Sequence, residues 1–291
     1  MILDIIVSGL AVGSIYSLIA MAFSLIYRST GLLNIAQGEM VMLGSLLGYT
    51  LLVNLGLNYY ISLLMAMVFV GGLGYLSNRL VFVPIQKRGG RELNVLIASI
   101  GLLIMLPQVA GLLWGTKALS YPNTLSQNQL TFGDVSISGL NFLILVLAVI
   151  IMAVLHSFFQ FTRVGQAMRA IADDRTMSQL VGINVHKYIA LIFVVSGILT
   201  GAAGALLGPV YYASYDLGGI GIKAFAAAII GGFGSVWGGM IGGILIGLIE
   251  GFSGTMISSQ YRDLILYGLL IVVLLVKPTG IFGIKKRRDT A

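Results

Sequence analysis

Long apolar runs without a charge decide what this chain can become. Ile5–Tyr27, Leu93–Trp114, Leu140–Phe161 and Tyr188–Tyr212 contain no Asp, Glu, Lys or Arg. Each reaches the roughly 20 residues that a helix needs to span a bilayer core. In hydrocarbon the backbone amides have no water to bond, so such a run must satisfy them internally as a helix. Charged residues make up 9% of the chain, against about 25% in a soluble domain. So few charges cannot cover a soluble surface. The sequence therefore reads as an all-α polytopic membrane protein with a single transmembrane domain over residues 1–291.

Basic residues set the expected orientation. Arg28, Arg79, Lys87, Arg88, Arg91, Arg163, Arg169, Arg175, Lys187, Lys277, Lys285, Lys286, Arg287 and Arg288 fall on one side of the segmentation, and Lys117, Lys223 and Arg262 on the other. The positive-inside rule then places the N-terminus outside and the basic tail, residues 282–291, inside. The net charge of +7 follows from this asymmetry and is no sign of nucleic-acid binding. The first apolar run does not read as a signal peptide, because Asp4 and no basic residue precedes it.

Alternating the orientation along the chain gives crossings near Ile5–Tyr27, Leu33–Leu55, Tyr60–Val81, Leu93–Trp114, Leu140–Phe161 and Tyr188–Tyr212. A polar external loop, residues 115–139, separates the fourth and fifth. Ala224–Ser258 does not fit as one helix: at 1.5 Å per residue it would run about 52 Å, against a core of about 30 Å. It is expected to break at Gly231-Gly232, Gly234 and Gly238-Gly239 into a half-helix (Ala224–Gly231) and a full helix (Gly239–Ser258). A last helix, Asp263–Lys277, ends at Pro278. Leu33–Leu55 is also irregular, since it opens with Asn34, Gln37, Gly38 and Glu39. The count is about 8–9 transmembrane segments including re-entrant half-helices. Each irregular stretch follows a long helix, and those two helices run oppositely, as an inverted-topology repeat requires.

Glycine recurs every fourth residue at Gly239, Gly243, Gly247 and Gly251, and again at Gly197/Gly201 and Gly204/Gly208. Small residues at that spacing let helix backbones approach in lipid, so a packing seam is favoured over a pore lining.

The polar run Arg163–Lys187 reads as two short amphipathic helices within an internal loop, residues 162–187. Val164, Ala167, Met168 and Ile171 share one helical face. Asp173 and Asp174 suit an N-cap, Gly182 a C-terminal stop, and Asn184 the cap of the next membrane helix. The run can contact a partner protein through its apolar face, with Arg169 and Asp173 at the rim, or lie on lipid headgroups through Arg163, Arg169 and Arg175. The residues alone leave these two readings even. The chain has no cysteine and two histidines, which excludes thiol chemistry and argues against a metal site or cofactor. It has no P-loop, so any ATP chemistry belongs to a partner.

Four stretches carry a resemblance: TGLLNIAQGEMVMLG (Thr30–Gly44), VGQAMRAIADDRTMSQLVGINV (Val164–Val185), IIGGFGSVWGGMIGG (Ile229–Gly243) and YGLLIVVLLVKPTGIFG (Tyr267–Gly283). With them the whole chain resembles the permease subunit of the high-affinity branched-chain amino acid (leucine/isoleucine/valine) ABC importers. Ser178 stands where that family often has alanine. The resemblance implies a non-catalytic transport subunit in a prokaryotic inner (cytoplasmic) membrane. Its implied partners are a second homologous permease, two ATP-binding subunits and an extracytoplasmic binding protein. It also turns the 162–187 loop into the expected ATPase-coupling element, with Gly165, Met168, Arg169, Ala170, Ile171, Asp173, Asp174, Leu180 and Gly182 as its residues. Similar permeases carry urea, amides or other amino acids.

Asn34, Gln37, Gly38, Glu39, Gly231 and Gly232 are the expected translocation-path residues, because paired broken helices point to a transport path. Glu39 is an acid within an early apolar run and by default a functional residue. The structural reading, ahead of it, is that Asn34 caps the second segment and Glu39 sits in its first turn. Glu250 is read as an interior residue bonded to a neighbour. An ion-coupled secondary transporter is the alternative mechanism, for which only Glu39 and Glu250 offer intramembrane sites.

Overall fold

A computed structural model describes residues 2–122, 129–132, 135–256 and 259–283. Helix α1 (Ile2–Thr30) leads through a short linker to α2 (Gln37–Tyr49), which continues as a π-turn, Thr50–Asn54. Helix α3 (Tyr59–Ser77) runs through a second π-turn into α4 (Val83–Lys87), followed by α5 (Glu92–Trp114). Then come α6 (Gly139–Phe161), α7 (Arg163–Asp173), α8 (Arg175–Leu180) and α9 (Val185–Tyr211). The chain closes with α10 (Ile220–Gly231), α11 (Val236–Met256) and α12 (Arg262–Val276). Among the described residues, α1, α3 with α4, α5, α6, α9 and α11 are the six helices long and apolar enough to cross a membrane. The shorter α2, α10 and α12 are the remaining three segments of the sequence reading. Helix α2 begins at Gln37 rather than Leu33, and α10 begins at Ile220, four residues before the expected half-helix.

Glycine seams hold the bundle together. Helix α11 runs antiparallel to α1 with backbones in contact. A Cβ on Gly239 would lie 3.0 Å from the Ala20 carbonyl oxygen, one on Gly243 2.5 Å from Ser17 Cα, and one on Gly251 3.3 Å from Gly9 Cα. The same device joins α9 to α3, where a Cβ on Gly201 would lie 3.0 Å from the Ala66 carbonyl oxygen. It joins α2 to α9, where one on Gly44 would lie 2.6 Å from the Gly201 carbonyl oxygen. The four-residue glycine spacing is thus a packing seam. Its benefit is dispersion contact and backbone proximity, since lipid offers no hydrophobic drive between helices.

These contacts sort the core into two groups. Helix α1 packs on α10 and α11, and α9 packs on α2 and α3. The groups join where α1 meets α9, and there Ser196 Oγ donates to the Ala22 carbonyl at 3.0 Å. Helices α5 and α6 lie outside them and expose apolar side chains such as Leu112, Leu113, Val149 and Val154, as a lipid-facing surface requires.

The polar connection between α5 and α6 is more ordered than a plain loop. A hairpin pairs Gln129 with Ser138 and Phe132 with Val135; residues 123–128 and 133–134 of the expected loop lie outside the described residues. Its first part is pinned: the Tyr121 hydroxyl donates to the Ser45 carbonyl at 2.8 Å, and Leu119 and Ala213 exchange backbone hydrogen bonds at 2.8 and 2.9 Å. At the other end, Pro278 turns the chain back under α10. Ile281 and Phe282 N–H then donate to the Ile230 and Gly231 carbonyls at 2.8 and 2.9 Å. Those carbonyls are the ones that the last turn of α10 leaves without helical partners.

The seams make a contrast that can be measured. Gly243→Val drives a side chain into the Ser17 backbone, whereas a Cβ at Gly268 on α12 meets nothing within 4 Å. Thermal unfolding in detergent should show Gly243→Val lowered by an overpacking penalty of about 1–3 kcal/mol or more, with Gly268→Ala at or above wild type.

Candidate functional site

Two short helices begin against each other in the interior. A Cβ on Gly38, in the first turn of α2, would lie 2.7 Å from the Gly218 carbonyl oxygen and 3.0 Å from Gly221 Cα at the start of α10. Only glycine at these positions lets the two N-termini meet. Gln37 fixes α2 to the middle of α9, its amide donating to Ser196 Oγ at 2.7 Å and to Thr200 Oγ1 at 3.3 Å. Asn34 Nδ2 donates to Gln37 Oε1 at 3.2 Å.

The expected cap is different in detail. Ala36 occupies the N-cap of α2 and no side chain caps it; Asn34 contributes its backbone carbonyl to Gln37 N–H at 3.3 Å instead. Its side chain is turned away by the Gln37 amide. Glu39 does lie in the first turn of α2. It is 6% exposed, and its Oε2 has no hydrogen-bond partner. The carboxylate lies directly on Gly218, in the turn that leads into α10. A negative group between two helix N-termini offsets their positive dipole ends.

Gly231 and Gly232 form a different feature. Gly232 has φ +117°, and a Cβ there would lie 2.7 Å from the Phe282 carbonyl carbon; the next turn, Gly238, faces Gly231 backbone to backbone. The pair is a close-packed joint where the end of α10, the start of α11 and the C-terminal segment meet, and it adjoins no side chain of the Asn34–Glu39 group in any described hydrogen bond.

A buried charge cluster ties α10 to its neighbours. Glu250, 4% exposed, accepts from the Tyr16 hydroxyl at 2.6 Å and from Lys223 Nζ at 3.0 Å, with Arg262 Nη1 at 3.6 Å. Lys223 also reaches Asp263 at 2.7 Å. The sequence pointed to Glu250 as an interior acid, but not to Lys223, Arg262 and Asp263 as its company. Their spacing in sequence carries no such signal. Among the described residues no three His, Asp or Glu side chains gather as a metal site.

The amphipathic run forms as expected, with one reversal. Thr162 Oγ1 accepts from Gly165 N–H at 3.0 Å and caps α7; Asp174 Oδ1 accepts from Met177 N–H at 2.9 Å and caps α8; Asn184 Oδ1 accepts from Lys187 N–H at 3.1 Å and caps α9. Gly182 takes φ +85° and stops α8. Gly165 is needed for the α6–α7 corner, where a Cβ would lie 2.6 Å from the Phe158 carbonyl oxygen. However, Met168 and Ile171 are each 1% exposed. The apolar face of α7 is therefore closed against its own bundle and cannot enter a partner's cleft. The exposed apolar side chains are on α8 and the residue after it: Met177, Leu180 and Val181, at 62%, 75% and 75%. Periodicity identified the apolar face of α7 but not what covers it.

Three contacts bind this element to its surroundings. Arg28 Nη2 pairs with Asp173 Oδ1 at 3.2 Å, both partly in solvent. Arg175 Nε donates to the Ser29 carbonyl, near the end of α1, at 2.9 Å. Arg169 donates to the Phe159 carbonyl of α6. Partial burial lowers the Arg175 pKa from its ordinary value, opposed by the nearby Glu92 carboxylate; a guanidinium remains charged regardless. Ala170 lies on the same helix, and its carbonyl accepts from Asp174 N–H at 2.9 Å as α7 ends.

Among the described residues, six long apolar helices, two short helices that begin against each other inside them and a surface-presented amphipathic corner define a multi-pass membrane protein. The family model for the permease component of branched-chain amino acid transport systems matches residues 5–274, and the chain belongs to that family. It is 38% identical to the high-affinity branched-chain amino acid transport permease BraD of Pseudomonas aeruginosa, over 95% of this chain and 94% of that protein. It is 35% identical to LivH of Escherichia coli K12 over the same shares, and 31% identical to a probable LivH of Methanocaldococcus jannaschii over 92% and 88%. Among solved structures, PsaBC from Streptococcus pneumoniae aligns with a TM-score of 0.51 at 16% identity, covering 94% of this chain and 92% of that one. That likeness concerns the fold alone.

The charge cluster yields a double-mutant test. Lys223→Met alone leaves Glu250 buried with the Tyr16 hydroxyl and, as its cationic partner, only the more distant Arg262, and should lower thermal stability in detergent by about 3 kcal/mol or more. Lys223→Met with Glu250→Gln should recover much of that loss, because no unpaired carboxylate stays buried and the Asp263 and Arg262 charges left behind reach solvent. Strict additivity would show that the two side chains are not coupled.

Proposed function

We propose that this chain is the membrane permease of an ATP-driven importer for branched-chain amino acids, carried above all by the family match over residues 5–274. It forms half of a translocation path with a second permease of the same kind, and two ATP-binding subunits and an extracytoplasmic binding protein complete the system. It resides in a prokaryotic inner membrane, N-terminus outside, as the basic-residue asymmetry favours. ATP is hydrolysed by the partners.

An inverted repeat of α1–α3 against α9–α11 accounts for the packing. Each half is a long helix, a short helix and a second long helix. The long helix of one half packs on the short and second helices of the other. In this arrangement α2 runs outward and α10 inward from a shared starting point near mid-membrane. Asn34, Gln37, Gly38 and Glu39 border the path there, and Gly231 and Gly232 are the joint about which α10 moves. Substrates with apolar side chains need few charged groups along such a path. Their carboxylate and ammonium can meet helix termini and carbonyls.

The 162–187 element is the coupling element, divided by face. Met168, Ile171 and Gly165 anchor it to its own bundle. Leu180, Gly182, Asp174 and the adjoining Met177 and Val181 meet the ATP-binding subunit, consistent with their exposure. Movement there passes to α1 through Asp173–Arg28 and Arg175–Ser29, and from α1 to α10 and α11 along their packed faces. Arg169 and Ala170 hold α7 in register with α6 and α8. A secondary transporter driven by an ion gradient has no support from the family.

Two experiments test this reading. Leu180→Asp should abolish co-purification of the ATP-binding subunits while leaving membrane insertion and thermal stability intact; Met168→Asp should damage stability itself. Retained association in Leu180→Asp would remove α8 from the interface. In proteoliposomes with the complete system, uptake of branched-chain amino acids should require ATP, and an ion gradient without ATP should drive none. Glu39→Gln, which keeps shape but removes charge, should reduce the uptake rate several-fold with the complex still assembled.

A further inference from the structure

We infer that a cavity between α1, α6, α7 and the start of α11 is a binding site for one anionic phospholipid. The cavity measures about 370 Å³. Its inner wall is apolar and buried, with Met21, Leu25 and Met152 at 3%, 3% and 4% exposure. Its outer margin is open through Val149 and Trp237, which are 51% and 55% exposed and belong to the exposed apolar surface of α6 and α11. An acyl chain matches both properties: it fills an apolar slot and enters sideways from the bilayer.

One end of the cavity is cationic. Arg28 and Arg169 line it where α1 finishes and α7 lies across the bundle. A guanidinium offers five N–H donors. Arg28 commits Nη2 to the exposed Asp173, and Arg169 donates to the Phe159 carbonyl, so each keeps donors for a phosphate. Trp237 packs on His156 with ring centroids 4.8 Å apart, and an indole of that kind marks headgroup depth. Basic pockets between membrane helices at the bilayer surface suit anionic headgroups. A free phosphate shares the headgroup chemistry but leaves the apolar slot empty. A soluble peptide would have to enter from within the hydrocarbon layer. The binding requires only that α1, α6 and α11 stand in a bilayer, and it is independent of the transport reading.

The test compares lipid retained by the full chain after extraction from nanodiscs containing phosphatidylglycerol and phosphatidylcholine, read by native mass spectrometry. The wild type should retain phosphatidylglycerol in preference to phosphatidylcholine. Arg28→Gln should reduce that retention about fivefold, the loss expected for one basic residue at a membrane surface. Ala153→Trp fills the slot from the open face of α6 and should abolish retention, with its melting temperature measured alongside. Val149→Trp, also on the open margin, replaces it if Ala153→Trp is unstable. Millimolar inorganic phosphate should displace no lipid; displacement would reassign the cationic end to a free anion. Equal retention of both lipids by the wild type, undiminished phosphatidylglycerol in the slot-filling variants, or a photo-crosslinker at position 153 that captures protein instead of lipid would each overturn the assignment.

Discussion

Everything in this bundle is arranged around two helices that begin inside it. The first turn of any α-helix leaves N–H groups without helical partners, and hydrocarbon supplies no water to take them. Helices α2 and α10 put two such ends together, Gly38 against Gly218 and Gly221. The arrangement survives because it is enclosed by protein. Helix α9 supplies Ser196 and Thr200 to Gln37, and Glu39 supplies negative charge against the turn before α10. The glycine seams are the other half of the same solution. Two interior ends can be shielded only if the long helices close tightly on either side, and α1 with α11 and α9 with α3 do so at backbone contact.

How much of this could be read from residues depends on the range of the signal. The broken segments were legible at Gly31–Glu39 and at Gly231–Gly239, because length against bilayer thickness and local glycine content are properties of one stretch. The seam was legible because a four-residue period is local too. Caps at Asp174 and Asn184 and the stop at Gly182 follow from turn chemistry within three residues. What was not legible involves partners far apart in the chain. The Lys223–Glu250–Asp263 cluster and the backbone bonds from Ile281 and Phe282 to α10 are tertiary events. So is the choice of which surface covers an amphipathic face. Met168 and Ile171 have the same spacing whether they meet lipid, a partner or their own bundle, and only the fold selects the last.

That selection bears on the coupling role proposed for the 162–187 element. An apolar helix held only by a partner's cleft would be free to leave with the partner and would transmit little force. Here α7 is fixed to the bundle by its buried face and by Arg169 to the α6 carbonyl, so the whole corner moves as part of the membrane domain. The exposed tip is short: α8 spans Arg175–Leu180. In the proposed role as the ATPase contact, a surface of that size takes its specificity from shape and from Met177, Leu180 and Val181, while the fixed base supplies leverage.

The route from that base into the membrane is correspondingly narrow. Asp173 and Arg175 both reach the last two turns of α1, at Arg28 and Ser29. The Arg28–Asp173 pair is solvent-screened and worth little alone, whereas Arg175 takes a helix-end carbonyl that otherwise lacks a partner. In the proposed coupling mechanism, displacement of the corner pulls on α1 as a rigid rod. Helix α1 cannot slide along α11 without lifting Gly243 and Gly247 from the Ser17 and Gly13 backbones, contacts that have no slack. The pair must move together. Helix α10 is held to α11 at one end by Lys223 and Glu250 and at the other by the glycine joint at Gly231, Gly232 and Gly238. Of these, the joint contains no side chains to unlock. In the proposed transport cycle, rotation at Gly232, whose φ of +117° is open to glycine alone, is the step that lets the α10 start part from Gly38 while both seams stay closed.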